Sequence, residues 1–102
     1  MNIKIAKMLN GEDIISEVLD VTEHEITIKN PVRIVVMPSA AGQSPNVGFA
    51  PWAPFSKDTE FTLDWSHVIA IMEPIDEFVV QYKKSISPIV APPQSKLILP
   101  KK

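Results

Sequence analysis

Ile3 and Ile5 alternate with Asn2 and Lys4, and this period of two predicts a first strand running to Leu9. Asn10-Gly11 follows, the dipeptide that most strongly marks a hairpin turn, so the chain is expected to reverse there. Residues 14–21, IISEVLDV, return as a second strand, and the polar TEHE at 22–25 turns the chain again. In the third strand Ile26 and Ile28 alternate with Thr27 and Lys29, and the same parity continues through Val32, Ile34 and Val36. Pro31 interrupts this run. Proline has no amide proton to give to a ladder, so its presence implies an edge, a bulge or a sharp bend at that point.

Residues 38–58, PSAAGQSPNVGFAPWAPFSKD, break the alternation with four prolines and two glycines and read as a long excursion without regular structure of its own. Loops of this length usually bind or pack on something, and Phe49, Trp52 and Phe55 supply apolar anchors for either role. Phe61, Leu63 and Trp65 alternate with polar neighbours in a fourth strand, and residues 67–73, HVIAIME, form a fifth that is apolar on both faces and ends at Pro74. Ile75, Phe78, Val79 and Tyr82 then fall at helical spacing. Asp76 and Glu77 lie in the first turn of that helix and Lys83 and Lys84 in the last, as the helix dipole favours. Residues 85–102 contain Pro88, Pro92, Pro93 and Pro100, too many for a helix, but also the apolar runs ISPIV and LILP. They read as an extended arm, separate from a domain spanning 1–84.

Composition narrows the function classes. A chain of 102 residues is one domain with one modest core. A hydrophobic content of 45% against 22% charged residues is that of a folded protein. Cysteine is absent, which removes disulfides and thiolate chemistry and fits a reducing compartment. Lys4 and Lys7 interrupt the N-terminus where a secretory signal needs an apolar run, and no segment approaches the ~20 apolar residues of a membrane span. The expectation is a soluble cytoplasmic protein without a membrane partner. A net charge of −2 and a pI near 5.6 are not the footprint of a protein that grips long nucleic acid through its phosphates. Five of the ten basic residues, Lys83, Lys84, Lys96, Lys101 and Lys102, gather at the C-terminus and read as a solvated helix end and tail.

The order of landmarks resembles an Sm-like domain. In the first motif of that family a turn glycine is followed by apolar residues three and seven positions later, and Gly11, Ile14 and Val18 match, with Ser16 in place of the family's second glycine. In the second, a strand enters a short polar turn and returns as an apolar strand near a proline, as Leu63, Asp64 to His67, and Val68 to Pro74 do. The resemblance covers residues 3–74 and implies an all-β fold: a small, strongly bent five-stranded barrel with a short C-terminal helix and a long loop between strands 3 and 4. The proline-rich excursion and the helix at the C-terminal side are most similar to Sm-like proteins of bacterial viruses, which would place the chain in a host cytoplasm. The resemblance further implies a cyclic homo-oligomer in which the fourth strand of one subunit pairs with the fifth of the next.

Sm-like RNA sites lie in the turns after the second and fourth strands. The resemblance therefore directs attention to His24, Lys29, Trp65 and His67, the histidines as polar contacts and Trp65 as a stacking surface, repeated around the ring. Asp64 stands where the family prefers positive charge. Catalytic signatures such as HExxH, GxGxxG, the phosphate loop and GxSxG are absent, so neither enzymatic activity nor a cofactor is expected. Asp58, Glu60 and Asp64 near His67 are a conceivable cation cluster, although carboxylates commonly occupy a solvated strand face, and no metal is expected. Two functions follow: a ring binding single-stranded RNA or DNA, or a structural or adaptor ring binding a protein partner through the aromatic excursion and the C-terminal arm.

Overall fold

The computed structural model describes residues 1–44 and 46–86. Six antiparallel strands, β1 (Ile3–Met8), β2 (Asp13–Val21), β3 (Glu25–Met37), β4 (Asn46–Pro51), β5 (Glu60–Asp64) and β6 (Val68–Met72), form one bent sheet, followed by α1 (Asp76–Ser85). A single turn of 3-10 helix, Trp65–His67, joins β5 to β6. The sheet order is β4-β3-β2-β1-β6, and β5 pairs with β3 beside β4. The all-β expectation with one short C-terminal helix holds.

The first hairpin turns where Asn10-Gly11 predicted. The Gly11 amide donates to the Met8 carbonyl at 2.9 Å, the Glu12 amide to the Asn10 side chain at 3.0 Å, and Gly11 has φ of 95°, a conformation that disfavours a side chain. Pro31 lies at a bulge. Ile15 faces Val32 and Glu17 faces Lys29, so Ser16 alone stands opposite Asn30 and Pro31. Asn30 takes φ of 52°, which asparagine tolerates better than most residues, and the small Ser16 opposite the bulge is buried.

At this bulge β3 changes partners. Its first half, Glu25 to Lys29, pairs with β5, and its second half, Val32 to Met37, pairs with β4. The excursion at 38–58 is therefore not without regular structure, because residues 46–51 form a strand. Without it, the second half of β3 would present a bare row of amides and carbonyls along one edge. Val47 and Phe49 continue the alternation, and Pro51 stands at the strand's last position, where the missing donor costs least. Phe49 and Trp52 are anchors as expected. Phe49 meets Phe78 edge-on at 5.6 Å and Trp52 meets Phe61 edge-on at 5.4 Å, whereas Phe55 is fully exposed.

The core has two parts. Ile3, Ile15 and Tyr82 form one, covered by Phe78, Val79 and Ile86 of the helical segment, and Ala6, Met8 and Ile14 form the other under Trp52, Leu63 and Val68. Tyr82 ties α1 to the bulge, its hydroxyl placed 3.1 Å from the Lys29 carbonyl and 2.9 Å from that of Asn30. Burial pushes its hydroxyl up to about 12. The expected arm began at 85. Ser85 belongs to α1, and the rest of the arm from 87 lies outside the described residues.

Candidate nucleic-acid interface

The turn after β2 is organised by Thr22. Its amide donates to the Glu25 carbonyl at 2.9 Å and closes the reversal, and its hydroxyl accepts from the Glu25 amide at 3.0 Å and the His24 amide at 3.3 Å, so a side chain reinforces what the backbone bond begins. The turn after β5 is organised by Asp64, whose carboxylate accepts from the Ser66 amide at 2.8 Å and caps the 3-10 turn. That bond holds the Asp64 carboxyl below the usual range, with smaller contributions from His67 and His24, so the group is ionised at neutral pH.

Trp65 joins the two turns. Its amide donates to the His24 carbonyl at 3.1 Å and its indole Nε1 to the Thr22 carbonyl at 2.8 Å. The partly exposed ring is thereby fixed at one end of the sheet, across the two turns that carry His24 and His67, both of which are exposed. His24 Nε2 lies 3.6 Å from Glu23 Oε1. Three of the four residues named from the sequence therefore lie in two adjoining turns, with Thr22 and Asp64 as supports that the sequence alone did not assign. Thr22 three residues before Glu25 was the available signal for the first.

Lys29 is not part of this surface. In the β3–β5 ladder Glu25 faces Asp64 while Lys29 faces Glu60, so the lysine stands at the far end, roughly 13 Å along the strand at ~3.3 Å per residue. Glu60 is likewise separated from Asp64 by the length of β5. Among the described residues no three His, Cys, Asp or Glu side chains gather as a metal site.

A model of the Sm-like domain matches residues 5–83. The chain belongs to this family. No curated protein matches the chain. Within the Sm-like domain, the strand containing residues 60–64 and the strand containing 68–72 are those whose outer edges were expected to meet a neighbour. Among the described residues, β5 pairs only with β3 and β6 only with β1. Beside β5 lies an open cleft of about 660 Å³, lined by Leu63, Trp52, Met8 and Leu9 with Asn10, Glu12 and His67 at its polar parts. On β6, Ile69, Ile71 and Met72 are exposed. No helix among the described residues is long and apolar enough to cross a membrane.

Proposed function

We propose that the protein is a non-enzymatic, ring-forming Sm-like protein that binds single-stranded RNA at the surface made by residues 22–25 and 65–67. The observation that carries this reading is the pair of hydrogen bonds from Trp65 to the Thr22–His24 turn, which fixes an aromatic ring across the two turns that carry the histidines. Aromatic stacking accepts any unpaired base, and imidazoles supply contacts to base edges. Glu23, Glu25 and Asp64 give the same surface three carboxylates, so affinity rests on stacking and on repetition of the site around the ring more than on phosphate contacts.

The test is binding of fluorescent poly-U, poly-A and mixed-sequence oligonucleotides, RNA and DNA, to protein whose mass has been fixed by light scattering. Micromolar or tighter binding with a shallow salt dependence is expected. Stacking is worth about 1–3 kcal/mol per base, so Trp65→Ala should weaken binding roughly tenfold with the ring intact, and His67→Ala should weaken it less. An intact ring that binds none of the oligonucleotides would overturn the reading. A specific observation favours one alternative, an adaptor ring for protein. Val36 and Val47 on the β3–β4 hairpin and Phe55 beyond it are exposed apolar residues away from the turn surface. Partner binding lost in Phe55→Ser and unaffected in Trp65→Ala would establish it.

A further inference from the structure

The seam where β3 exchanges β5 for β4 leaves a groove of about 400 Å³, within the ~300–1,000 Å³ typical of ligand pockets. Its walls are apolar and ring-rich, with Pro31, Val32, Phe49, Pro51, Trp52 and Phe61, and Asn30 and Asp58 supply polar groups. Ser85 and Ile86 also line it. These are the last two described residues, so the chain enters residue 87 from the groove's own wall.

We propose that this groove is the receptor for the chain's own C-terminal segment, residues 87–93, bound in an extended proline-rich conformation. The segment reads SPIVAPP. A residue before proline disfavours the helical region, so Pro88 directs Ser87 toward extended backbone immediately after α1, and Pro92-Pro93 favours the polyproline II form. Such a segment has few amide donors to satisfy and docks by seating proline and aliphatic side chains between aromatic rings, which is the chemistry these walls offer. Pro88, Ile89 and Val90 are the apolar side chains nearest the point of entry. Attachment with no intervening linker gives the segment an effective concentration of about millimolar or above, so a weak intrinsic affinity suffices and the chain's own segment outcompetes one supplied from solution. The inference does not depend on what the turn surface binds.

Trp52 is a built-in reporter, because Trp65→Phe leaves it the only tryptophan of the chain. In that background, a chain ending at Ile86 and a full-length chain carrying Ile89→Asp and Val90→Asp should both show red-shifted Trp52 emission and greater acrylamide quenching, with unchanged far-UV circular dichroism. The charged full-length variant keeps the test valid if the shortened chain fails to fold. Emission and quenching indistinguishable from the parent in a folded variant would overturn the proposal. Since the chain has no cysteine, Ala53→Cys with Val90→Cys provides a second readout. Oxidation should give an intrachain disulfide faster than in a Glu77→Cys, Val90→Cys control, whose first site is on α1 outside the groove. Equal rates would overturn docking, and a disulfide-linked dimer as the main product would overturn docking within one chain.

Discussion

Tyr82 is the residue on which helix, bulge and core converge. Its ring is fully buried, and its hydroxyl faces two carbonyls at the point where β3 bends. Tyr82→Phe keeps the packing but leaves those carbonyls without this partner, so a loss of about 1–3 kcal/mol is expected in urea denaturation. The hydroxyl also makes an alkaline prediction. Its folded pKa of about 12 lies above the 10.0 of a free phenol side chain, so the stabilisation is fully present below pH 10 and disappears as pH rises toward 12. The difference in stability between the parent and Tyr82→Phe should therefore be constant at neutral pH and narrow above pH 10. At this scale the sequence was partly legible. Helical spacing placed Tyr82 on the apolar face, and Pro31 announced the bulge, because a missing amide has few places to go. The bond between them was not legible, since it depends on how α1 lies across β3.

The elements divide according to whether their pattern competes with their punctuation. β1 and β5 could be read because alternation ran uninterrupted between turn residues, β2 and β6 because short apolar-rich runs lay between turn signals, and α1 because its acidic and basic ends agreed with its spacing. β4 could not. Val47 and Phe49 alternate, but they lie among prolines and glycines that mark turns, and only the need of β3 for a partner makes the segment a strand. Similarly, alternation put Lys29 on the correct strand but gave no measure of its distance from the turn, so it was grouped with His24 when the register separates them. α1 covers Ile3 and Ile15 through Phe78 and Val79. Complete loss of a buried aromatic ring costs about 3–5 kcal/mol, so the half-buried Phe78→Ala should cost roughly 2–3 kcal/mol in thermal or urea melts. A cost below 1 kcal/mol would mean that the helix is not part of the cooperative core.

For the whole molecule, the outer edges of β5 and β6, unpaired among the described residues, and the cleft beside β5 are the features that bear on assembly. Ile69 bulges from β6, since Lys7 faces Ala70 and Met8 faces Val68, and it is 61% exposed. A charge there is tolerable in a lone subunit and costly in an apolar contact. If the proposed ring uses this edge, Ile69→Asp should yield a folded monomer by light scattering where the parent yields an oligomer, and an unchanged oligomeric mass would exclude β6 from the contact. Oligonucleotide binding should fall with the ring, because each subunit contributes only one small surface. The β1–β6 ladder also bears on how the molecule forms. It joins residues 5–8 to 68–72, whereas β1, β2 and β3 are connected by short turns. Local hairpins close readily and distant pairings close late. During synthesis the first three strands emerge as a ready meander, and the outer edge of β1 has no partner in its own chain until residue 72 has emerged. That interval is when an unfinished chain is most exposed to pairing with another, and the lysines at positions 4 and 7 of β1 oppose such pairing before β6 arrives.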